Sequence, residues 1–157
     1  MDKLDVVVIG AGVIGSPGAG LGYAGIRNSA AIKFDIFSNT GEGPSSTGLF
    51  LNGSTPTNIG SVDLRPTIDL GSAHMMRADI SYDGTQLAVG ITDTVTNQTY
   101  KRNYAVNLPA VIGSTNAYVG FTGGTGGLTS VQDVLTWTLS PNAVQPPATP
   151  TALGSAA

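Results

Sequence analysis

Between residues 30 and 140 the apolar positions recur every second residue rather than every third or fourth. That is the spacing of a strand, whose side chains alternate faces. In residues 30–37, Ile32, Phe34 and Ile36 share one face and Lys33, Asp35 and Phe37 the other. Leu49 and Leu51 flank Phe50, and Met76, Ala78, Ile80 and Tyr82 alternate with Arg77, Asp79 and Ser81. Asp83-Gly84 divides that run from Leu87, Val89 and Ile91, a strong hairpin signal. A second turn at Thr96-Asn97 leads into a strand-like stretch, 99–108, that Pro109 is expected to end. Ala117, Val119 and Phe121 alternate in turn. Leu135, Trp137 and Leu139 lie opposite Thr136 and Thr138, which places Trp137 in the core. Short alternating strands between turn signals predict an all-β antiparallel sandwich or barrel.

The ends differ from this middle. Residues 141–157 are rich in Pro, Ala and Thr without periodicity and are expected to form a tail or linker. The division expected is an atypical leader over 1–15, the sandwich over 16–140 and the tail beyond. The longest apolar run, 6–14, is broken by Gly10 and Gly12, well short of the roughly 20 residues of a spanning helix. Asp2 and Asp5 flank it where a signal peptide carries positive charge. Neither a membrane span nor a signal peptide is expected.

Composition narrows the class. The chain of 157 residues has the length of one domain. Its 22 glycines and 9 prolines work against long helices, and 41% apolar content argues for a folded core rather than disorder. A net charge of −3 leaves no basic field for nucleic acid or an anionic membrane. The absence of cysteine removes disulfides, thiolate zinc sites and thiol nucleophiles together.

One motif points elsewhere. Val6–Ile9 runs into Gly10-x-Gly12-x-x-Gly15, and Asp35 follows twenty residues on. This is the spacing of an FAD- or NAD-binding unit, in which the glycines admit a pyrophosphate to a helix N-terminus. The intervening residues carry Pro17 and glycines at 18, 20, 22 and 25. A helix there would lose about 7 kcal/mol in propensity. No nucleotide is expected.

The stretch 18–39, GAGLGYAGIRNSAAIKFDIFSN, followed by STGLFLNG over 46–53, resembles the L-type, or legume-type, lectin family, especially its bacterial members. The hairpin ISYDGTQLAVGITDT, the strand and loop AYVGFTGGTGG, and VQDVLTWTLS extend the resemblance to about residue 140 in the same order. It implies a concanavalin-like jelly roll of two antiparallel sheets and a non-catalytic module for a glycan or polysaccharide. It also implies an extracellular or cell-surface location. Against the family the chain is short, since the front strands before the Gly-rich loop are largely missing. Val6–Ile9 is either foreign to the sandwich or a substitute strand. Exposed sheet edges would then favour homo-oligomers.

The resemblance also implies ligands. Ca²⁺ would take the Asp35 carboxylate, the Phe37 carbonyl and the Asn39 side chain, with Glu42 in place of a second loop acid; such hard oxygens suit that ion. No Mn²⁺ site is expected, because Lys33 and Ser46 stand where the family has its Glu and His. Lys33 and Asp35 share a strand face, so the ammonium either substitutes for the missing cation or forms an exposed ion pair of at most about 1 kcal/mol. The exposed pair is the plainer expectation.

Sugar contacts would come from Gly18, Ala19, Gly20, Asn39, Thr125, Gly126, Gly127 and Leu128, with Tyr23 or Phe37 as a ring to stack on a pyranose. The family's sugar-binding Asp has no clear counterpart, Asp2 and Asp5 being near only in sequence. Related jelly-roll glycosidases need paired carboxylates, and here Lys33 takes one of the two places. His74 reads as a surface or strand-end residue, without the partners of a triad. The alternative to a lectin is a structural or adhesive module with a decayed sugar site. Asn52-Gly-Ser54 and Asn97-Gln-Thr99 match the glycosylation sequon, a triplet common by chance.

Overall fold

The computed structural model describes residues 6–10, 18–124 and 133–140. Among them are eight strands: β1 (Val6–Gly10), β2 (Ser29–Asp35), β3 (Ser46–Leu51), β4 (Ser61–Asp63), β5 (Met76–Tyr82), β6 (Gln86–Asp93), β7 (Thr99–Ala105) and β8 (Tyr118–Thr122). They form a five-stranded sheet in the order β4-β3-β2-β1-β8 and a three-stranded sheet in the order β5-β6-β7. Every pairing is antiparallel.

The alternation seen in the sequence builds the core between these sheets. Ile32 and Phe34 of β2 meet Leu87, Val89 and Ile91 of β6, with Leu49, Leu51, Val119 and Phe121 packed alongside. β2 is buried along its whole length, because its other face is covered too. There Leu21, Tyr23 and Ile26 pack on Ala31 and Phe50 in a second apolar cluster. This inner-and-outer covering is what makes the sheet a platform for loops.

Turn chemistry fixes the registers. Asp83 Oδ1 accepts from the N–H groups of Thr85 and Gln86, and Gly84 takes a φ of 103°, which sets Tyr82 opposite Leu87. Pro109 does not simply end β7. It lies in the first turn of a five-residue helix, α1 (Leu108–Ile112), which Asn107 caps and Gly113 closes. Pro is tolerated there because the first N–H groups of a helix need no helical partner.

β1 lies between β2 and β8 and is antiparallel to both, so of the two readings left open for Val6–Ile9 the structure has the one in which it pairs into the sheet. A dinucleotide fold needs a parallel crossover, and residues 18–20 form only a short 3-10 turn. Trp137 is not core: it is 55% exposed, and Leu135 and Leu139 are exposed with it. Residues 133–140 form no strand. The Trp137 ring meets Phe121 edge-on at 5.6 Å, and the segment lines an apolar cavity of about 630 Å³ with Phe34, Met76, Ile91 and Phe121. Alternation marked which side chains share a side, but without backbone pairing that side is not sealed.

Candidate functional site

Three loops gather at one end of the five-stranded sheet. Val6 pairs with Lys33 on one side and Thr122 on the other. The loop after β2 and the loop after β8 therefore leave the same end, about 10 Å apart at two strand spacings. The Gly-rich stretch 18–22 bridges toward the second of these. Thr122 Oγ1 donates to the Leu21 carbonyl at 2.9 Å. A Cβ on Gly22 would stand 2.8 Å from the Gly123 carbonyl, and one on Gly124 would stand 2.8 Å from the Gly18 carbonyl. Only bare backbone allows this contact.

The sugar residues expected from the sequence divide accordingly. Gly18 lies against Gly124 at the head of the post-β8 loop, and Ala19 and Gly20 complete the same short turn, Ala19 exposed and Gly20 buried. Asn39 is in the post-β2 loop and exposed. Thr125, Gly126, Gly127 and Leu128 lie outside the described residues, as do Asp2 and Asp5. Of the two candidate stacking rings, Tyr23 is fully buried and donates its hydroxyl to the Ser54 carbonyl at 2.8 Å. It is a pillar of the second cluster and cannot meet a sugar. Phe37 is 49% exposed and free to do so.

The post-β2 loop is built around Glu42. Its Oε1 accepts from the Asn39 N–H at 3.2 Å, and its Oε2 from the Thr40 N–H at 2.7 Å and the Thr40 hydroxyl at 2.9 Å. Burial raises the Glu42 pKa, but these donors outweigh it and hold the acid below its usual value. Asp35 Oδ1 accepts from the Phe37 N–H at 3.0 Å. Burial is the largest influence on Asp35 and leaves its pKa raised, against the pull of that N–H and of Lys33.

Lys33 overturns the plainer expectation. It is not an exposed partner of Asp35 but completely buried, with Nζ 3.3 Å from Asp35 Oδ2 and 3.8 Å from Glu42 Oε1. The Phe50 ring centroid lies 5.7 Å from the same nitrogen. Gly48, opposite Lys33 in β3, makes room for that ring: a Cβ there would stand 2.9 Å from it.

These residues do not fit Ca²⁺. Of the implied set, Asp35, Phe37, Asn39 and Glu42, both acids already turn every carboxylate oxygen toward a donor or toward the Lys33 ammonium. An ion wanting six to eight oxygen ligands would have to displace that ammonium. Among the described residues no three His, Cys, Asp or Glu stand close enough to hold a metal. Nor do Asp35 and Glu42 offer a hydrolytic pair, since both are buried behind their donors.

His74, expected at a strand end, precedes β5 and is partly exposed. Its Nδ1 lies 2.8 Å from Asp93 Oδ2. Asp93 also accepts from the N–H groups of Val95 and Thr96, so the pair fastens a turn. Nothing in the chain's pattern marked Asp93, which ends a strand like many acids. Its partner lies nineteen positions away, and only the β5–β6 pairing brings the two together.

The order of elements and the three clustered loops agree with the outcome of comparison with protein families. The legume lectin domain model matches residues 24–155. That family consists of non-catalytic carbohydrate-binding domains that typically hold metal ions. The chain belongs to the legume lectin domain family.

Proposed function

We propose that the protein is a non-catalytic glycan-binding module whose sugar site lies where the Gly-rich stretch, the post-β2 loop and the post-β8 loop meet. The observation that carries this is the seating of residues 18–22 on Gly123 and Gly124 at the end from which the Asn39 loop emerges. Glycine backbone that a ligand can approach closely, an Asn amide and an exposed ring are the equipment for recognising hydroxyls on a pyranose. An extracellular or cell-surface location accords with this role. The Ca²⁺-assisted form of the reading has less support, because Lys33 stands among the acids that would hold the ion.

A glycan array probed with the full chain, with and without Ca²⁺, tests the proposal. Binding to a defined sugar class that Asn39→Ala and Phe37→Ala each weaken at least tenfold is the expected result. No bound glycan under either condition would favour a structural or adhesive sandwich instead.

A further inference from the structure

The charge balance beneath the post-β2 loop has a specific solution. Asp35 and Glu42 are both buried, and two carboxylates out of water repel one another unless a cation joins them. Among the described residues the one cation within ion-pair reach of either is Lys33, and it reaches both. Its surroundings suit a positive charge with no metal chemistry. Phe50 offers a ring face on one side. Ser46, opposite Asp35 in β3, brings a buried hydroxyl without a partner rather than an acid or an imidazole.

We infer that the Lys33 ammonium holds the place of a divalent ion, as a positioning residue that keeps the 37–42 loop ordered without any metal. Lys33 fixes Asp35 and Glu42. Asp35 holds the Phe37 N–H, and Glu42 holds the N–H groups of Asn39 and Thr40. The order of the loop thus runs from one buried nitrogen through two acids to the residues facing solvent. The inference draws on the glycan-binding reading only for what the loop is for, and its test needs no sugar.

Calorimetric melting of the full chain decides it. The wild type should melt at the same temperature in EDTA and in millimolar Ca²⁺ or Mn²⁺. Lys33→Met should lower Tm by about 10–20 °C, and neither ion should restore it. Lys33→Glu sets a third carboxylate beside Asp35 and Glu42, so it should melt low in EDTA and recover several degrees with Ca²⁺ or Mn²⁺. Should Lys33→Met fail to fold, the wild-type and Lys33→Glu arms still decide. A wild-type Tm that rises with either ion overturns the inference, as does a Lys33→Met chain as stable as the wild type. A Lys33→Glu chain that neither ion stabilises overturns it too. An ion-indifferent wild type with an ion-rescued Lys33→Glu supports it even if no glycan binds.

Discussion

Glu42 shows how much one side chain can organise. It accepts two backbone N–H groups and a hydroxyl within a few residues of itself. Glu42→Gln keeps the shape but turns an amide N–H₂ toward donors, so at least one backbone N–H loses its charged acceptor, at about 1–3 kcal/mol. Urea unfolding should show that loss, whereas Phe37→Ala, at a half-exposed position, should leave the midpoint within about 0.5 kcal/mol of wild type. The sequence told which face Lys33 and Asp35 share, since that follows from a period of two. It did not tell that the face is covered. The segment that covers it, Leu21 to Ile26, carries no alternation and turns on residues with positive φ, Leu21, Gly22 and Gly25. The same blindness made Tyr23 look like a sugar platform.

Among the elements, the β6–β7 turn carries a pH signature. Burial raises the Asp93 pKa, but the His74 ring and the N–H groups of Val95 and Thr96 more than offset it and hold the acid at about 2, below its usual 3.8. A folded-state value below the unfolded one stabilises the protein above the unfolded pKa, and that contribution disappears as pH falls through the folded value. The stability gap between wild type and Asp93→Asn, followed by urea titration, reports this contribution below about pH 5. It should shrink between about pH 4 and 2. A gap that does not narrow in that window would remove Asp93 from the account. The strands β2, β3, β5, β6, β7 and β8 were legible because alternate side chains of each turn toward the core, whereas β4, three residues long with no buried side chain, left no such pattern. The 133–140 segment was not, because alternation reports sidedness and says nothing of a pairing partner.

At the scale of the molecule, the two sheets end in unlike edges. The β5 edge carries Arg77 and Asp79, joined at 2.9 Å and well exposed, a charged pair of the kind that discourages further pairing. The outer edge of β8 has no charge along Tyr118–Thr122, and Tyr118 is 82% exposed. Light scattering across a concentration series should therefore show reversible dimers that Tyr118→Lys returns to monomer. A wild type that stays monomeric throughout would refute association by this edge. The placement of β1 between β2 and β8 has a further effect, on how the chain comes together. β1 is joined on one side to a strand that follows it closely and on the other to one at the far end of the fold. Thr122 meets Leu21 from 101 positions away. Contacts of such separation are closed late, because the ordering entropy of the chain between must be met first. The loops of the proposed sugar site can come together only when β8 docks, so refolding followed by glycan capture should lag behind the β6–β7 hairpin, which is complete within its own twenty residues.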